Sequence, residues 1–218
     1  MFVKICGVTS VEDAVACIEA GADAIGFNLW PRSKRYRPIT TLAAAAAAAK
    51  GKVERFGVFV NASAEDIEAA FAADVIDFAQ LHGDEEPDFC ARFSGRYVKA
   101  LRLSGRHSLD DIDRYDCARL LVDAPFAGYG GSGQLIDEPL ATLACAHARS
   151  LGRGLILAGG LDPENVAAIV HRIHPAGVDV ASGVERSPGI KDHDRVRRFV
   201  TAARSLPDLT PDLLRERP

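Results

Sequence analysis

The sequence has little aromatic character and no excess of positive charge. Aromatic residues make up 7% of the chain, with one tryptophan, and 26 lysines and arginines are outnumbered by 30 aspartates and glutamates. Nucleic-acid binding depends on a basic surface that neutralises phosphates, and the formal net charge of −4 argues against such a partner. We expect a small-molecule partner instead.

The sequence also lacks long apolar runs. No stretch approaches the roughly 20 apolar residues that span a bilayer, so no membrane partner is expected. Residues 1–10 contain Lys4 and Gly7 instead of a charged head followed by an apolar run, which argues against a secretory signal. A cytoplasmic location is therefore predicted.

The five cysteines form neither CxxC pairs nor Cys/His clusters. An odd number with irregular spacing predicts neither a disulfide framework nor a metal site, and reduced thiols in a cytosol fit best. Four of them lie in predicted helices or just before predicted strands, where ordinary packing explains them. These four are Cys17, Cys90, Cys117 and Cys145.

Short β-branched or aromatic runs alternate with amphipathic or alanine-rich stretches along the whole chain. The predicted strands are residues 2–6, 24–29, 55–60, 77–81, 97–101, 120–123, 154–158 and 178–181. The predicted helices are residues 10–20, 41–50, 63–73, 86–94, 108–116, 137–151, 162–173 and 192–204, several of them opened by a capping residue such as Ser10, Ser63 or Asp162.

Eight such pairs favour an α/β fold with a single (β/α)₈ TIM barrel of eight parallel strands. The same rhythm also allows a doubly wound open sheet. With 218 residues, one domain is the default: we predict a catalytic barrel over residues 1–205 and a frayed tail over 206–218, which contains three prolines.

In a barrel the reacting residues lie at the carboxyl ends of the strands. On the first strand, alternation directs Lys4 and Cys6 to the barrel interior and Val3 and Ile5 to the helices. A lone strand cysteine is more often a small buried apolar residue, but the position of Cys6 at the strand end makes it a candidate. Lys4 lies one layer deeper, and we expect it to be a structural charge paired with Asp179.

The sixth strand ends in Asp123, which precedes a glycine-rich loop at residues 128–133. Two interpretations stay open for this carboxylate, a functional group at the barrel mouth or a loop cap that accepts backbone hydrogen bonds. Two further small-residue loops, Gly159-Gly160 and Ser182-Gly183, follow the seventh and eighth strands, where backbone N–H groups suit a phosphate.

A basic loop follows the second strand at residues 30–36 (WPRSKRY). Most charge runs are solvated surface loops, which is one interpretation here. The other is an anion receptor, for which an arginine is the natural choice because its planar guanidinium binds a carboxylate through two hydrogen bonds.

Taken together, these motifs resemble phosphoribosylanthranilate isomerases over nearly all of residues 2–203. The matching segments, in order, are residues 4–7 (KICG), 12–14 (EDA), 26–27 (GF), 33–36 (SKRY), 57–61 (GVFVN), 80–83 (QLHG), Asp123 before 130–133 (GGSG), 159–161 (GGL), 179–185 (DVASGVE), 188–189 (PG) and 191–192 (KD).

The resemblance implies an aldose–ketose type isomerase of tryptophan biosynthesis, without a cofactor, that rearranges N-(5′-phosphoribosyl)anthranilate to 1-(2-carboxyphenylamino)-1-deoxyribulose 5-phosphate. It further implies a phosphorylated small-molecule substrate and a monomeric or homodimeric protein. The roles that it implies are general base for Cys6, general acid for Asp123, carboxylate contact for Arg35, and phosphate contacts for Gly159, Gly160, Ser182 and Gly183.

The implied chemistry needs one acid and one base. Opening the ribose ring requires a proton on the ring oxygen, and the resulting iminium makes the C2′ proton acidic enough for a modest base. A free thiol has a pKa of about 8.5, so we expect a cationic neighbour to favour the thiolate of Cys6.

Three other functions compete with this interpretation. The sister isomerase of histidine biosynthesis is expected to carry Asp where this chain has Cys6, and a ribulose-phosphate epimerase needs a His/Asp metal site that His82 and His107 do not form. A catalytically silent phosphate-ligand sensor is the third, and the retention of both Cys6 and Asp123 argues against it.

Overall fold

A computed structural model describes residues 1–103, 105–123 and 137–205, with the side chains of residues 106 and 107 excepted. Its barrel strands are β1 (Phe2–Cys6), β2 (Ala24–Asn28), β3 (Glu54–Phe59), β4 (Phe78–Leu81), β5 (Tyr97–Arg102), β6 (Arg119–Asp123), β7 (Gly154–Leu157) and β8 (Gly177–Val180). The helices are α1 (Val11–Glu19), α2 (Ile39–Ala49), α3 (Ala64–Ala72), α4 (Pro87–Ala91), α5 (Asp110–Arg114), α6 (Glu138–Ser150), α7 (Val166–Ile173) and α8 (His193–Arg204).

The eight strands form a closed parallel barrel in sequence order, and β8 pairs with β1 to complete it. The prediction of a TIM barrel is confirmed, and the open-sheet alternative is wrong. Each predicted strand boundary lies within one residue of the observed one. The predicted tail at 206–218 and the glycine-rich loop at 128–133 lie outside the described residues.

Helix α7 begins at Val166, four residues later than predicted. The Asp162 carboxylate accepts hydrogen bonds from the backbone N–H groups of Glu164 and Asn165, while the Asn165 amide bonds Gly160 O and Asp162 N. These short-range bonds hold residues 162–165 in a turn before the helix starts. Asp162 therefore caps that turn, and the predicted helix start at this residue is wrong.

A short antiparallel hairpin after β8 was not predicted. Its strands are β9 (Glu185–Ser187) and β10 (Ile190–Lys191), and it is preceded by a single 3₁₀ turn at Ser182–Val184. The hairpin places Glu185 opposite Lys191, at the rim where β8 meets β1.

The apolar core has two layers. The larger one lies between the strands and the helices, and it includes Val3 and Ile5, as strand alternation predicts. The smaller one fills the barrel interior with Ala24, Phe56, Val98, Ala100, Leu121, Ile156 and Ala158. Below it, the Arg119 guanidinium lies 5.0, 5.5 and 4.8 Å from the ring centres of Phe2, Phe56 and Phe78, so the amino-terminal end of the barrel is filled.

All five cysteines are buried and unpaired, which confirms the packing interpretation of the four outside the site. The predicted ion pair in the barrel interior is also confirmed, because Lys4 Nζ lies 2.9 Å from Asp179 Oδ1. Within the described ranges, none of the helices is long and apolar enough to cross a bilayer.

A second buried ion pair supports the loop after β4. Lys99 Nζ donates to Glu85 Oε2 at 2.7 Å and to the carbonyls of Gly83 and Leu81, and both side chains of the pair are 3% exposed. Glu85 in turn accepts hydrogen bonds from the backbone N–H groups of Gly83 and Asn61. This network holds His82 and its neighbours in place.

We expect Lys99→Met to lower the free energy of unfolding by about 3–5 kcal/mol, because it leaves the Glu85 carboxylate buried without its cation. Urea denaturation measures this change. The double variant Lys99→Met/Glu85→Gln should recover part of the loss, since the neutral amide costs less to bury. A single variant as stable as the wild type would contradict the buried pair.

Candidate active site

A cavity of about 540 Å³ opens at the carboxyl ends of the strands. This size is typical of a small-molecule site. Of the predicted site residues, Cys6, Arg35, Asp123, Gly159, Gly160 and Ser182 line it. The structure thus brings together side chains from β1 and β6 with the loops after β2, β7 and β8.

Cys6 ends β1, and its side chain lies above the buried Lys4 ammonium. A Cβ atom added to Gly26 would lie 2.8 Å from Cys6 Sγ and 3.1 Å from Lys4 Nζ, so this glycine makes room for both groups. Burial raises the pKa of the Cys6 thiol, although hydrogen bonding and the charge of Lys4 oppose the rise. The expected cationic neighbour is present, but burial outweighs it, and Cys6 is mainly a thiol near neutral pH.

Lys4 stays charged in this interior position. Burial by itself would lower the pKa of its ammonium, but the nearby Asp179 carboxylate and the Cys6 sulfur raise that pKa above its ordinary value. A fixed positive charge therefore lies below the sulfur, where it stabilises a thiolate when one forms.

Asp123 ends β6 and lines the cavity, with a residue exposure of 9%. Its Oδ2 lies 3.6 Å from Nε2 of His82. On the other side of the imidazole, Gln80 Nε2 lies 3.1 Å from His82 Nδ1. The loop after Asp123 lies outside the described residues, so the loop-cap interpretation stays an alternative.

Arg35 lines the cavity from the basic loop, and Glu185 holds one edge of its guanidinium. Nε donates to Glu185 Oε1 at 2.8 Å and Nη2 to Oε2 at 2.6 Å. The aliphatic part of Arg35 lies over Gly7, which has a φ of 76°, and a Cβ there would lie 2.4 Å from Arg35 Cδ. Hydrogen bonding to Glu185 raises the pKa of Arg35.

Glu185 joins Arg35 to the backbone beside Cys6. Its Oε1 accepts a second bond from the buried Lys191 Nζ at 3.0 Å, and that ammonium also donates to the carbonyls of Cys6 and Ala181 at 2.5 and 3.1 Å. Burial by itself would raise the pKa of Glu185, but the two cations lower it, so Glu185 is ionised.

The loops after β7 and β8 interlock at the rim. Gly159 and Gly160 have φ values of 94° and 65°, which favour glycine. Gly183 lies behind Ser182, and a Cβ on it would lie 1.9 Å from the Leu161 carbonyl oxygen. The two loops therefore touch through backbone alone, with Gly159, Gly160 and Ser182 toward the cavity and Gly183 as the packing contact.

The basic loop faces the same cavity. Arg32, Ser33 and Lys34 line it together with Arg35 and Trp30. Three cations at one rim create a positive field that attracts an anion, which favours the receptor interpretation over a purely solvated loop.

Sequence reasoning did not assign roles to four polar residues at this site: Gln80, His82, Glu185 and Lys191. Gln80 carried a usable signal, because strand alternation places a polar side chain in the barrel interior near the end of β4. Glu185 and Lys191 carried no such signal in the strand pattern, because their partners lie in a hairpin and a loop that only the closed barrel brings together.

Comparison with known proteins agrees with this geometry. Residues 3–202 match the family model described as "N-(5'phosphoribosyl)anthranilate (PRA) isomerase". The N-(5′-phosphoribosyl)anthranilate isomerase of Myxococcus xanthus is 44% identical over 208 residues, covering 94% of this chain and 96% of that protein.

Two solved structures are similar over the same range. Phosphoribosyl anthranilate isomerase from Thermotoga maritima has a TM-score of 0.85 and 36% identity, covering 94% of this chain and all of that one. A phosphoribosyl anthranilate isomerase in complex with reduced 1-(o-carboxyphenylamino)-1-deoxyribulose 5-phosphate has a TM-score of 0.82 and 34% identity, with the same coverage. The chain therefore belongs to the N-(5′-phosphoribosyl)anthranilate isomerases, the aldose–ketose type isomerases of tryptophan biosynthesis.

Proposed function

We propose that this chain isomerises N-(5′-phosphoribosyl)anthranilate with Cys6 as general base and Asp123 as general acid. The observation that carries the proposal is the order of groups around one cavity. Asp123 ends β6, the small-residue loops follow β7 and β8, and Cys6 ends β1, so four neighbouring strands present an acid, a phosphate cradle and a base in sequence.

This order matches the order of atoms in the ribose ring. With the 5′-phosphate at the Gly159-Gly160 and Ser182 loops, C4′ lies toward β7 and β8. The ring oxygen O4′ then lies toward Asp123, and C2′, on the other side of C3′, lies toward Cys6. The remaining ring atom, C1′, points toward β2–β5 and carries the anthranilate to the basic loop.

The reaction then proceeds by two proton transfers that involve the catalytic groups, followed by tautomerisation of the enolamine. Asp123 delivers a proton to O4′ as the C1′–O4′ bond breaks, and the nitrogen lone pair forms the C1′=N iminium. The Cys6 thiolate removes the C2′ proton, and the electron pair of that bond forms the enolamine C1′=C2′. Gain of a proton at C1′ and loss of one from the 2′-hydroxyl then give the ketone. Each of the two catalytic groups is expected to raise the rate by about 10²–10⁴-fold.

The substrate carboxylate is proposed to bind the second edge of Arg35. Glu185 occupies the edge of the guanidinium formed by Nε and Nη2. A guanidinium has five N–H donors, so a second edge remains, formed by Nη1 and the other hydrogen of Nη2. This second edge can bind a carboxylate through two parallel hydrogen bonds. Arg32 and Lys34 add positive charge at the same rim. Glu185 therefore orients Arg35 for the anthranilate.

Glu185→Gln is expected to raise KM for the substrate about tenfold with a smaller change in kcat, because Arg35 loses a charged partner that fixes its orientation. Steady-state kinetics measures both constants. Glu68→Gln is the matched control, since this exposed glutamate pairs with Arg92 on the outside of the barrel. A KM equal to that of the wild type would show that Glu185 does not orient the substrate.

A direct assay tests the function. Freshly prepared N-(5′-phosphoribosyl)anthranilate is mixed with the purified protein, and loss of its anthranilate-type fluorescence is followed. We expect enzyme-dependent loss, and formation of the ketose phosphate identified by mass and chromatography. Binding without turnover would indicate the phosphate-ligand sensor instead, and would reject the isomerase proposal for this chain.

Two further predictions accompany this proposal. The five unpaired cysteines support a reducing, cytoplasmic location. A monomer or homodimer is expected, and light scattering of the purified protein distinguishes the two.

A further inference from the structure

The amide of Gln80 is only half satisfied. Its side chain is buried, with 2% of the residue exposed, and it lines the cavity from β4. Nε2 bonds His82 Nδ1, but Oε1 is a buried oxygen without a hydrogen-bond partner, the only such side-chain atom in the part of the chain that the structure describes. Folded proteins satisfy nearly all buried polar atoms, so this carbonyl needs a donor that the described residues do not supply.

The contact with His82 involves one end of the Gln80 amide, and the other end has no hydrogen-bond partner among the described residues. With Gln80 Nε2 as donor, His82 accepts at Nδ1 and carries its own proton on Nε2. That N–H then lies 3.6 Å from Oδ2 of the Asp123 carboxyl group. In this orientation of the amide, Oε1 is the unsatisfied atom.

The position of Gln80 in the barrel indicates which donor it would meet. Strand β4 lies across the barrel from β8, on the side opposite the phosphate loops. In the substrate placement of the proposed function, C1′ and its exocyclic nitrogen point to this side. Ring oxygen, C2′ and phosphate lie toward β6, β1 and the β7–β8 rim, so the anilino N–H is the substrate donor that faces β4.

We propose that Gln80 Oε1 accepts a hydrogen bond from the anilino N–H of the substrate, which makes Gln80 a substrate-contacting residue of the isomerase. This inference rests on the proposed function. The N–H persists through the reaction and becomes a stronger donor when the nitrogen takes on positive charge in the iminium. The bond therefore strengthens as the ring opens, and it stabilises the transition state more than the ground state.

The anthranilate carboxylate competes for the same hydrogen, because it lies ortho to the nitrogen. The basic loop relieves this competition, since Arg32, Lys34 and Arg35 line the cavity on the side where the carboxylate is proposed to bind. Engaging the carboxylate with arginine releases the N–H toward Gln80. The two contacts together fix the rotation of the anthranilate about the C1′–N bond.

Two ligands that differ in one group test this contact. The first is the reduced product analogue, 1-(2-carboxyphenylamino)-1-deoxyribulose 5-phosphate with its ketone reduced, which keeps the N–H. The second has an ether oxygen in place of the N–H. The wild type is expected to bind the amine about 10- to 100-fold more tightly, because the ether sets a lone pair against the buried Gln80 carbonyl.

Gln80→Met removes that carbonyl in a side chain of similar length. In this variant the preference for the amine over the ether should fall by about tenfold or more, since the lone-pair repulsion and the hydrogen bond are both lost. Calorimetric titration of both ligands on both proteins gives the double difference, in which the unrelated differences between amine and ether cancel. Gln80→Glu keeps an acceptor oxygen and is expected to keep the preference.

The outcomes separate this inference from the proposed function. A wild type that isomerises the substrate but binds amine and ether equally would overturn the Gln80 contact alone, and this measurement needs no variant to fold. Equal amine preference in the wild type and Gln80→Met would show that Gln80 serves only to hold His82. A wild type that neither turns over the substrate nor binds the reduced analogue would instead reject the proposed function.

Discussion

Asp123→Asn is expected to lower kcat by about 10²- to 10⁴-fold, because an amide of the same shape cannot deliver a proton to the ring oxygen. The side chain lines the cavity beside His82 and is almost fully buried, so the substitution preserves packing and removes the chemistry. Single-turnover measurement of fluorescence loss reports the step directly. Binding of the reduced product analogue should stay close to that of the wild type, since ring opening is not needed for it.

The control for this variant is Asp113→Asn. Asp113 is an exposed aspartate of α5 that pairs with His147 at 3.0 Å, on the outside of the barrel. It makes the same substitution without touching the cavity, and its kcat should match that of the wild type. An Asp123→Asn enzyme with more than about a tenth of the wild-type kcat would exclude Asp123 as the general acid.

Cys6→Ser is expected to be comparably inactive, with a loss of at least about 10²-fold in kcat, because a serine hydroxyl is a far weaker acid than a thiol and supplies almost no anionic base. The change of one atom leaves the shape of the site nearly intact. Cys17→Ala is the control, since Cys17 lies on the buried face of α1 and burial raises its thiol pKa to about 12.

The pH dependence of Cys6 alkylation in the wild type gives an independent check on this thiol. Burial raises the pKa of this thiol above its ordinary value, so the thiolate is a minor species near neutral pH. Below the pKa, each unit of pH increases the thiolate fraction tenfold, so the rate at which iodoacetamide alkylates Cys6 and inactivates the wild type should rise with pH through the neutral and mildly alkaline range. The Cys17→Ala enzyme should show the same rise. An inactivation rate that does not rise with pH, together with an active Cys6→Ser enzyme, would remove the thiolate from the mechanism.

Lys4 links the stability of the barrel to this chemistry. Its ammonium pairs with Asp179 across the β1–β8 junction and lies directly below Cys6 Sγ, so the same charge closes the barrel and stabilises the thiolate. The alternation of side chains along β1 places both residues in the interior, which is why the sequence alone predicted the pair.

The positions of Cys6 and Asp123 at the barrel mouth were predictable from sequence for a local reason. In the sequence, a strand end is marked by the last residue of an apolar run. The alternation of side chains along the strand then decides which of them face the barrel interior. Cys6 and Asp123 both end such runs, and eight repeats of strand and helix imply that the two ends meet at one rim. These inferences depend only on residues that are neighbours along the chain.

Other features of the site depend on contacts between distant segments. The guanidinium of Arg35 is shared with Glu185, 150 residues away, and Gly183 packs against the Leu161 carbonyl behind the rim. The Gln80 amide contacts His82, and His82 in turn lies 3.6 Å from Asp123 of another strand. No periodicity or spacing encodes these pairings.

The sequence by itself determined the eight-fold strand and helix order, the residues that face the barrel interior, and the positions of Cys6 and Asp123 at two strand ends. Tertiary structure decided which edge of Arg35 is available, which glycine faces the cavity and which carbonyl is left without a donor. The physical reason is the separation of the interacting residues along the chain. Hydrophobic alternation involves residues two to four positions apart. The hydrogen bonds that orient a side chain need partners that meet only when β8 pairs with β1.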